Sequence, residues 1–175
     1  MAGGSASPSI VNHVVSLSGR DAALSWYAEV SLHTGLVLPE DGAFHIGVTR
    51  DDPPATDAGI DQSAGGVAYR HFGSIVDGGG FLATVGDAPA LVAGDVVGIA
   101  VKAGKLWMSL NGSWILSGDP SAGTGELTTL DAGTYFIASC GGASAESSRW
   151  KPILRTATFQ LVYTVPTGCV PFAEA

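Results

Sequence analysis

The densest group of residues that could do chemistry is a run of aspartates. Asp51, Asp52, Asp57 and Asp61 fall within the stretch Arg50–Gly66, which also holds Pro53 and Pro54 and shows no periodic pattern. Calcium takes about six to eight oxygen ligands from carboxylates and carbonyls, so such a loop could gather a site. The spacing is not that of an EF-hand, and a solvated acidic loop is the expectation, with no metal or other cofactor assigned. Carboxylate catalysis is tested next. Glycoside hydrolysis needs two carboxyl groups flanking the scissile bond. The chain has five glutamates, Glu29, Glu40, Glu126, Glu146 and Glu174, and no strand carries two acids in alternation. Glu29 is expected on a polar strand face. Nucleophilic catalysis fares no better, since no G-x-S-x-G elbow occurs and His13, His33, His45 and His71 are isolated. The expectation is a protein that is not an enzyme.

Two glycine patterns resemble nucleotide sites and fail on context. Gly78-Gly79-Gly80-Phe81-Leu82-Ala83 matches G-x-G-x-x-A, but that motif needs a following helix to hold the pyrophosphate. Thr84, Val85, Gly86 and Pro89 oppose one. Gly98 and Gly104-Lys105 stand one residue too far apart for a P-loop, and Leu106 replaces the magnesium-binding hydroxyl. Asn111-Gly112-Ser113 is formally a glycosylation sequon, yet Asn-Gly also makes the strongest two-residue hairpin turn.

Binding chemistry is left. Flat aromatic rings stack on sugars and peptides at low entropic cost. Trp26 alternates in phase with Ala28, Val30 and Leu32 and is expected in the core, whereas Trp107 falls on the face opposite Leu106. Trp150 lies between Arg149 and Lys151 in the small-residue stretch Gly141–Lys151. Trp107 and Trp150 are therefore the aromatic candidates, beside the alternative that both fill space between sheets. Three loop segments could present contacts: Arg50–Gly66 with its aspartates and Arg50, Gly118–Glu126 with Asp119, and Gly141–Lys151 with Arg149, Trp150 and Lys151.

Short strands must position these residues. Apolar and polar residues alternate in Leu24–Leu32, Ala43–Thr49 and Lys105–Leu110. Further strands are expected at Ile10–Leu17, Val67–Phe72, Phe81–Val85, Val96–Val101, Ser113–Leu116, Thr134–Cys140 and within Ile153–Tyr163, with Val165–Pro171 closing the chain. Ala103-Gly104 and Asn111-Gly112 join Val96–Leu116 into a meander, and Gly73–Gly80 reads as a turn region. No segment has a helical apolar period. Many short strands with glycine-rich turns predict an all-β antiparallel sandwich of two twisted sheets.

Composition fits one domain over residues 10–175 behind a flexible tail at 1–9. Of the 175 residues, 46% are hydrophobic and 14% charged, which opposes disorder. A net charge of −8 with only eight scattered basic residues excludes a nucleic-acid partner. No apolar run reaches membrane-span length, and the small, polar N-terminus carries no signal-peptide pattern. Cys140 and Cys169 are expected as free thiols in a reducing compartment, a bridge between them being the alternative.

The meander also carries a family resemblance. Gly94-Asp95-Val96-Val97-Gly98-Ile99-Ala100, then Gly104-Lys105-Leu106-Trp107, then Asn111-Gly112, resembles the core signature of SPRY domains. Tyr27-Ala28-Glu29-Val30 is similar to the family's Y-x-E-V strand, and Phe44–Thr49, Tyr135–Ala138 and Thr156–Phe159 resemble later strands. Phe159 is followed by Gln160-Leu161 where the family usually closes with Asn-Phe-Gly. The resemblance covers about residues 24–172. It implies a concanavalin-like jelly roll that binds partners through loops. The run Gly104–Gly125 resembles SPRY-like domains of tailed-bacteriophage structural proteins, which implies a virion component: a capsid decoration, tail or fibre protein contacting other virion proteins or a host-surface receptor. Self-association would suit such a role. The alternatives are a lectin-like carbohydrate-binding module and a cytoplasmic SPRY adaptor that binds peptides.

Overall fold

The computed structural model describes residues 10–14, 18–33, 44–50, 60, 65–78, 80–142 and 152–175. The protein is all-β, two sheets packed face to face. The described residues form fourteen strands: β1 (Ile10–Val14), β2 (Arg20–Asp21), β3 (Trp26–Ser31), β4 (His45–Thr49), β5 (Val67–Arg70), β6 (Ser74–Asp77), β7 (Gly80–Ala83), β8 (Val96–Lys102), β9 (Lys105–Leu110), β10 (Ser113–Trp114), β11 (Thr128–Thr129), β12 (Thr134–Gly142), β13 (Ile153–Arg155) and β14 (Val170–Pro171). The first sheet runs β1-β12-β4-β5-β6-β7, with β2 on β12. The second runs β10-β9-β8-β3-β13, with β11 on β9 and β14 on β3. Every pairing is antiparallel except β14 with β3.

Alternation explains the core. Trp26, Ala28 and Val30 of β3, Val97, Ile99 and Val101 of β8, and Leu106, Met108 and Leu110 of β9 point inward. They meet Ile46, Val48, Val67, Tyr69, Ile75, Tyr135 and Ile137 of the first sheet. The strand phase read from the sequence around Trp26 and Leu106 is the observed one. Both hairpin turns of the meander form as expected, because their central residues adopt positive φ: Ala103 at 50° with Gly104 at 79°, and Asn111 at 50° with Gly112 at 80°.

Four expectations change. Gly73–Gly80 contains a strand, β6, whose short Ser-Ile-Val-Asp run was hidden between glycines. Ser113–Leu116 is a strand only to Trp114, after which Ile115–Ser117 coils into a 3-10 turn. Ile153–Tyr163 yields the three residues of β13, then a 3-10 turn at Thr158–Gln160. Glu29 lies on the outer face of its strand but is fully buried, because the C-terminal segment covers that face. The flexible-tail reading of residues 1–9 lies outside the described residues.

Both outer faces are capped. Tyr27, Ala100 and Trp107 of the second sheet are covered by Trp114, Leu161, Val165 and Cys169. On the first sheet, Ile60 packs with Ala68, Val76, Ala138 and Cys140. The cap over the second sheet is pinned from beneath. Glu29 accepts hydrogen bonds from the Val162 amide at 2.7 Å, the Tyr163 amide at 2.9 Å and the Tyr27 hydroxyl at 3.0 Å.

Candidate functional site

Strand register fixes where the three loop segments attach. Thr49 pairs with Phe136 and His45 with Cys140. Arg50 and Gly66 therefore flank the end of the sandwich at which β12 begins, while Gly142 leaves from the opposite end. Ile153 pairs with Ser31 and Ser31 with Val96, which puts the return from Gly141–Lys151 at that opposite end too. The third segment, Gly118–Glu126, follows the outer edge of β9 between β10 and β11. The attachment points of the three segments do not share one end.

The edge loop is described throughout its length. Asp119 ties it into a closed unit. Its carboxyl group accepts from the Ala122 amide at 3.0 Å. Its carbonyl accepts from Gly123 and Thr124, and its own amide donates to Thr124 O at 2.9 Å. Lys102 Nζ donates to the carbonyls of Pro120, Ser121 and Thr167, and the Thr167 amide donates to Ser121 Oγ, joining the loop to the C-terminal cap. Lys105 pairs with Glu126 at 2.8 Å, and that hydrogen bond holds the Glu126 carboxyl below its usual range. Gly118 must lack a side chain, since a Cβ there would lie 2.7 Å from Gly125 O and 2.8 Å from the Trp107 ring.

At the loop's start, backbone strain coincides with exposed apolar surface. Leu116 and Ser117 adopt φ of 52° and 57°, the left-handed region that L-residues avoid. Leu116 is nevertheless 51% exposed, so burial does not compensate for the strain. Such conformations persist where surroundings over-determine them, and they concentrate at contact sites. Here the enforcing bonds are Gly118 N to Ile115 O at 3.1 Å and the Asp119 unit beyond.

A second feature is a cleft of about 160 Å³ at the end where β12 begins. Both sheets line it, through Val67, Asp77 and Tyr135 on one side and Thr128–Asp131 on the other, with Gly65, Gly66 and Gly78 forming bare backbone wall. Arg50 pairs with Asp131 at 3.6 Å beside the cleft. The Tyr135 side chain is buried, and among the described residues its hydroxyl donates to no acceptor. Burial, and after it the neighbouring Asp131 charge, push its pKa up.

The residues singled out from the sequence divide into three groups. Trp107 is corrected as an exposed ring: it is buried, and its indole N–H donates to Thr124 O at 2.8 Å. The face opposite Leu106 looked solvent-facing only because the distant C-terminal cap cannot be read from local alternation. Asp119 and Arg50 are exposed or half-exposed and act as described. Asp51, Asp52, Asp57, Asp61, Arg149, Trp150 and Lys151 lie outside the described residues. Among the described residues, no group of three or more His, Cys, Asp or Glu could hold a metal. Cys140 and Cys169 are free thiols, and burial pushes the Cys169 thiol up. Leu116 and Tyr135 were missed as surface and cleft residues. The sequence marks Tyr135 only as part of a strand, and left-handed backbone at a leucine has no sequence signature.

No family model matches the chain, and no curated protein is similar enough to match it. Among the described residues, no helix is long and apolar enough to cross a membrane.

Proposed function

We propose that this protein is a non-catalytic, SPRY-like component of a bacteriophage virion, a decoration, tail or fibre protein. It contacts neighbouring virion proteins or the host surface through its edge loop. The observation that carries the reading is the rigid edge loop. Its run of residues resembles phage structural proteins, and its geometry presents an exposed, strained Leu116 on a cross-braced frame. A surface already held in its final shape loses little conformational entropy on docking, and assembly into a particle rewards that. The apolar Leu116 side chain supplies the kind of contact that a packed interface desolvates.

Sedimentation of lysate from the protein's source, with mass spectrometry of the fractions, tests the proposal. Co-migration with a megadalton-sized particle is the expected result. Migration as a small free species overturns the virion reading.

A further inference from the structure

We infer that the end cleft between the two sheets binds a neutral polyhydroxylated ligand the size of a single sugar ring. Three observations combine. The first is composition of the wall. Asp77 and Asp131 offer acceptors, Arg50 a donor, Thr128 and Thr129 hydroxyls, and Leu130 with Val67 an apolar surface. The one guanidinium at the mouth, Arg50, already pairs with Asp131, and that disfavours an anionic ligand.

The second is the Tyr135 phenol. A buried hydroxyl whose proton has no acceptor costs about 1–3 kcal/mol, and no described residue accepts from Tyr135, so an acceptor on a ligand would be rewarded there. The group that can accept a proton from Tyr135 and in turn donate one to a nearby carboxylate is another hydroxyl. A sugar ring presents several, at adjacent carbons.

The third is the glycine wall. A Cβ on Gly65 would stand 2.9 Å from the Tyr135 oxygen and 3.3 Å from Arg50 Cβ. A Cβ on Gly133 would stand 2.9 Å from Arg50 Cδ. Bare backbone at Gly65 therefore borders the phenol, and bare backbone at Gly133 leaves room for the arm of Arg50. The Arg50–Asp131 pair is long and largely solvent-exposed, a type of contact that contributes little and is readily displaced. An entering ring can move that arm aside and meet the phenol without disturbing the core.

This inference uses the cleft and not the edge loop, so it is tested on the purified protein, separately from the particle assay. A panel of neutral monosaccharides (glucose, galactose, mannose and N-acetylglucosamine) is titrated into labelled protein at high millimolar concentration and followed by amide NMR. The expected result is saturable shifts at Gly65, Gly66, Gly78 and Thr128–Asp131 with at least one sugar. Y135F then weakens that sugar about tenfold, the worth of one hydrogen bond to a polar ligand. The same variant keeps or raises the thermal midpoint, because it removes a buried hydroxyl whose proton has no acceptor. Three results overturn the inference: no shifts with any sugar, shifts located elsewhere, or undiminished binding by Y135F. A Y135F variant of clearly lowered stability overturns it as well, since the phenol would then have a partner such as a trapped water in the free protein.

Discussion

Glu29→Ala should be among the most damaging single changes in this protein, although it removes a residue from the outer side of a sheet. The carboxyl group is fully buried and accepts three hydrogen bonds, from Tyr27, Val162 and Tyr163. Its removal leaves a buried phenol and two amides without acceptors. At about 1 kcal/mol for each donor the loss begins near 3 kcal/mol, and deletion of one partner from a buried polar set costs about 3–5 kcal/mol. Val162 is 53% exposed, so water can reach the freed amides once the C-terminal cap lifts, which keeps the loss within that range. Glu29→Gln separates shape from chemistry. The amide oxygen can take the position that serves Tyr27 and Tyr163, while its NH2 group then opposes the Val162 amide. The expected loss is about 1–3 kcal/mol, the cost of one buried donor left unmatched. Urea denaturation of the two variants gives the energies, and amide exchange at Val162 and Tyr163 reports whether the cap has loosened. The ranking Ala worse than Gln worse than wild type is required. Both variants falling within about 0.5 kcal/mol of wild type would refute the reasoning, because that is the range of a neutral surface change.

Three other predictions are independent of the cap. Trp26→Ala should cost about 3–5 kcal/mol in chemical denaturation, since the ring is fully buried and meets Phe172 edge-on at 5.0 Å; an unchanged midpoint would mean the core closes around the gap. Alkaline pH should destabilise the fold. Tyr27 is pushed above the usual phenol range by burial and then by Glu29, and Tyr69 by burial and then by Asp95. With folded pKa values raised, the stability is whole below about pH 10; above it the unfolded chain loses protons that the folded chain keeps, and stability falls by about 1.4 kcal/mol per pH unit for each phenol. Urea midpoints measured on either side of about pH 10 check this, and a flat profile contradicts it. Leu116→Asn should stabilise the isolated protein by about 0.5–1 kcal/mol, because asparagine tolerates left-handed backbone better and little burial is lost; a lower midpoint would show that Leu116 packs on its own chain.

Local pattern made much of this fold legible, and distance hid the rest. Trp26, Ala28 and Val30 announced an inward face through period-two alternation, and Asn111-Gly112 announced its turn through the φ that the turn demands. Both are decided by neighbours in sequence. Glu29 and Trp107 misled for the opposite reason. Each alternates out of the core, and each is buried by residues far along the chain: Val162 and Tyr163 over Glu29, and Leu161, Val165 and Cys169 over the cluster that holds Trp107. Strand β6 escaped notice because four residues between glycines carry too short a period to distinguish a strand from a turn. At the candidate sites, composition pointed to Asp119 and Arg50 but not to what they do. Asp119 organises a loop rather than facing a ligand, and Arg50 flanks a cleft whose walls come from four separate segments. Such a cleft exists only after both sheets have closed.

The order of the strands has a consequence for how the molecule is made. Strand β3 finds its neighbours in β8, β13 and β14, and β1 finds its own in β12. A growing chain therefore carries β3 unpaired until β8 is made, and β1 unpaired until β12, through most of its synthesis. The sub-structures available early are two local meanders, β5–β6–β7 and then β8–β9–β10, each joined by short turns. Topologies dominated by such distant pairings fold slowly, and their waiting strands present open edges to other copies. Yield in cells is therefore expected to depend on temperature and synthesis rate more steeply than the finished protein's stability would indicate, with aggregation of chains halted short of Val170 as the main route of loss.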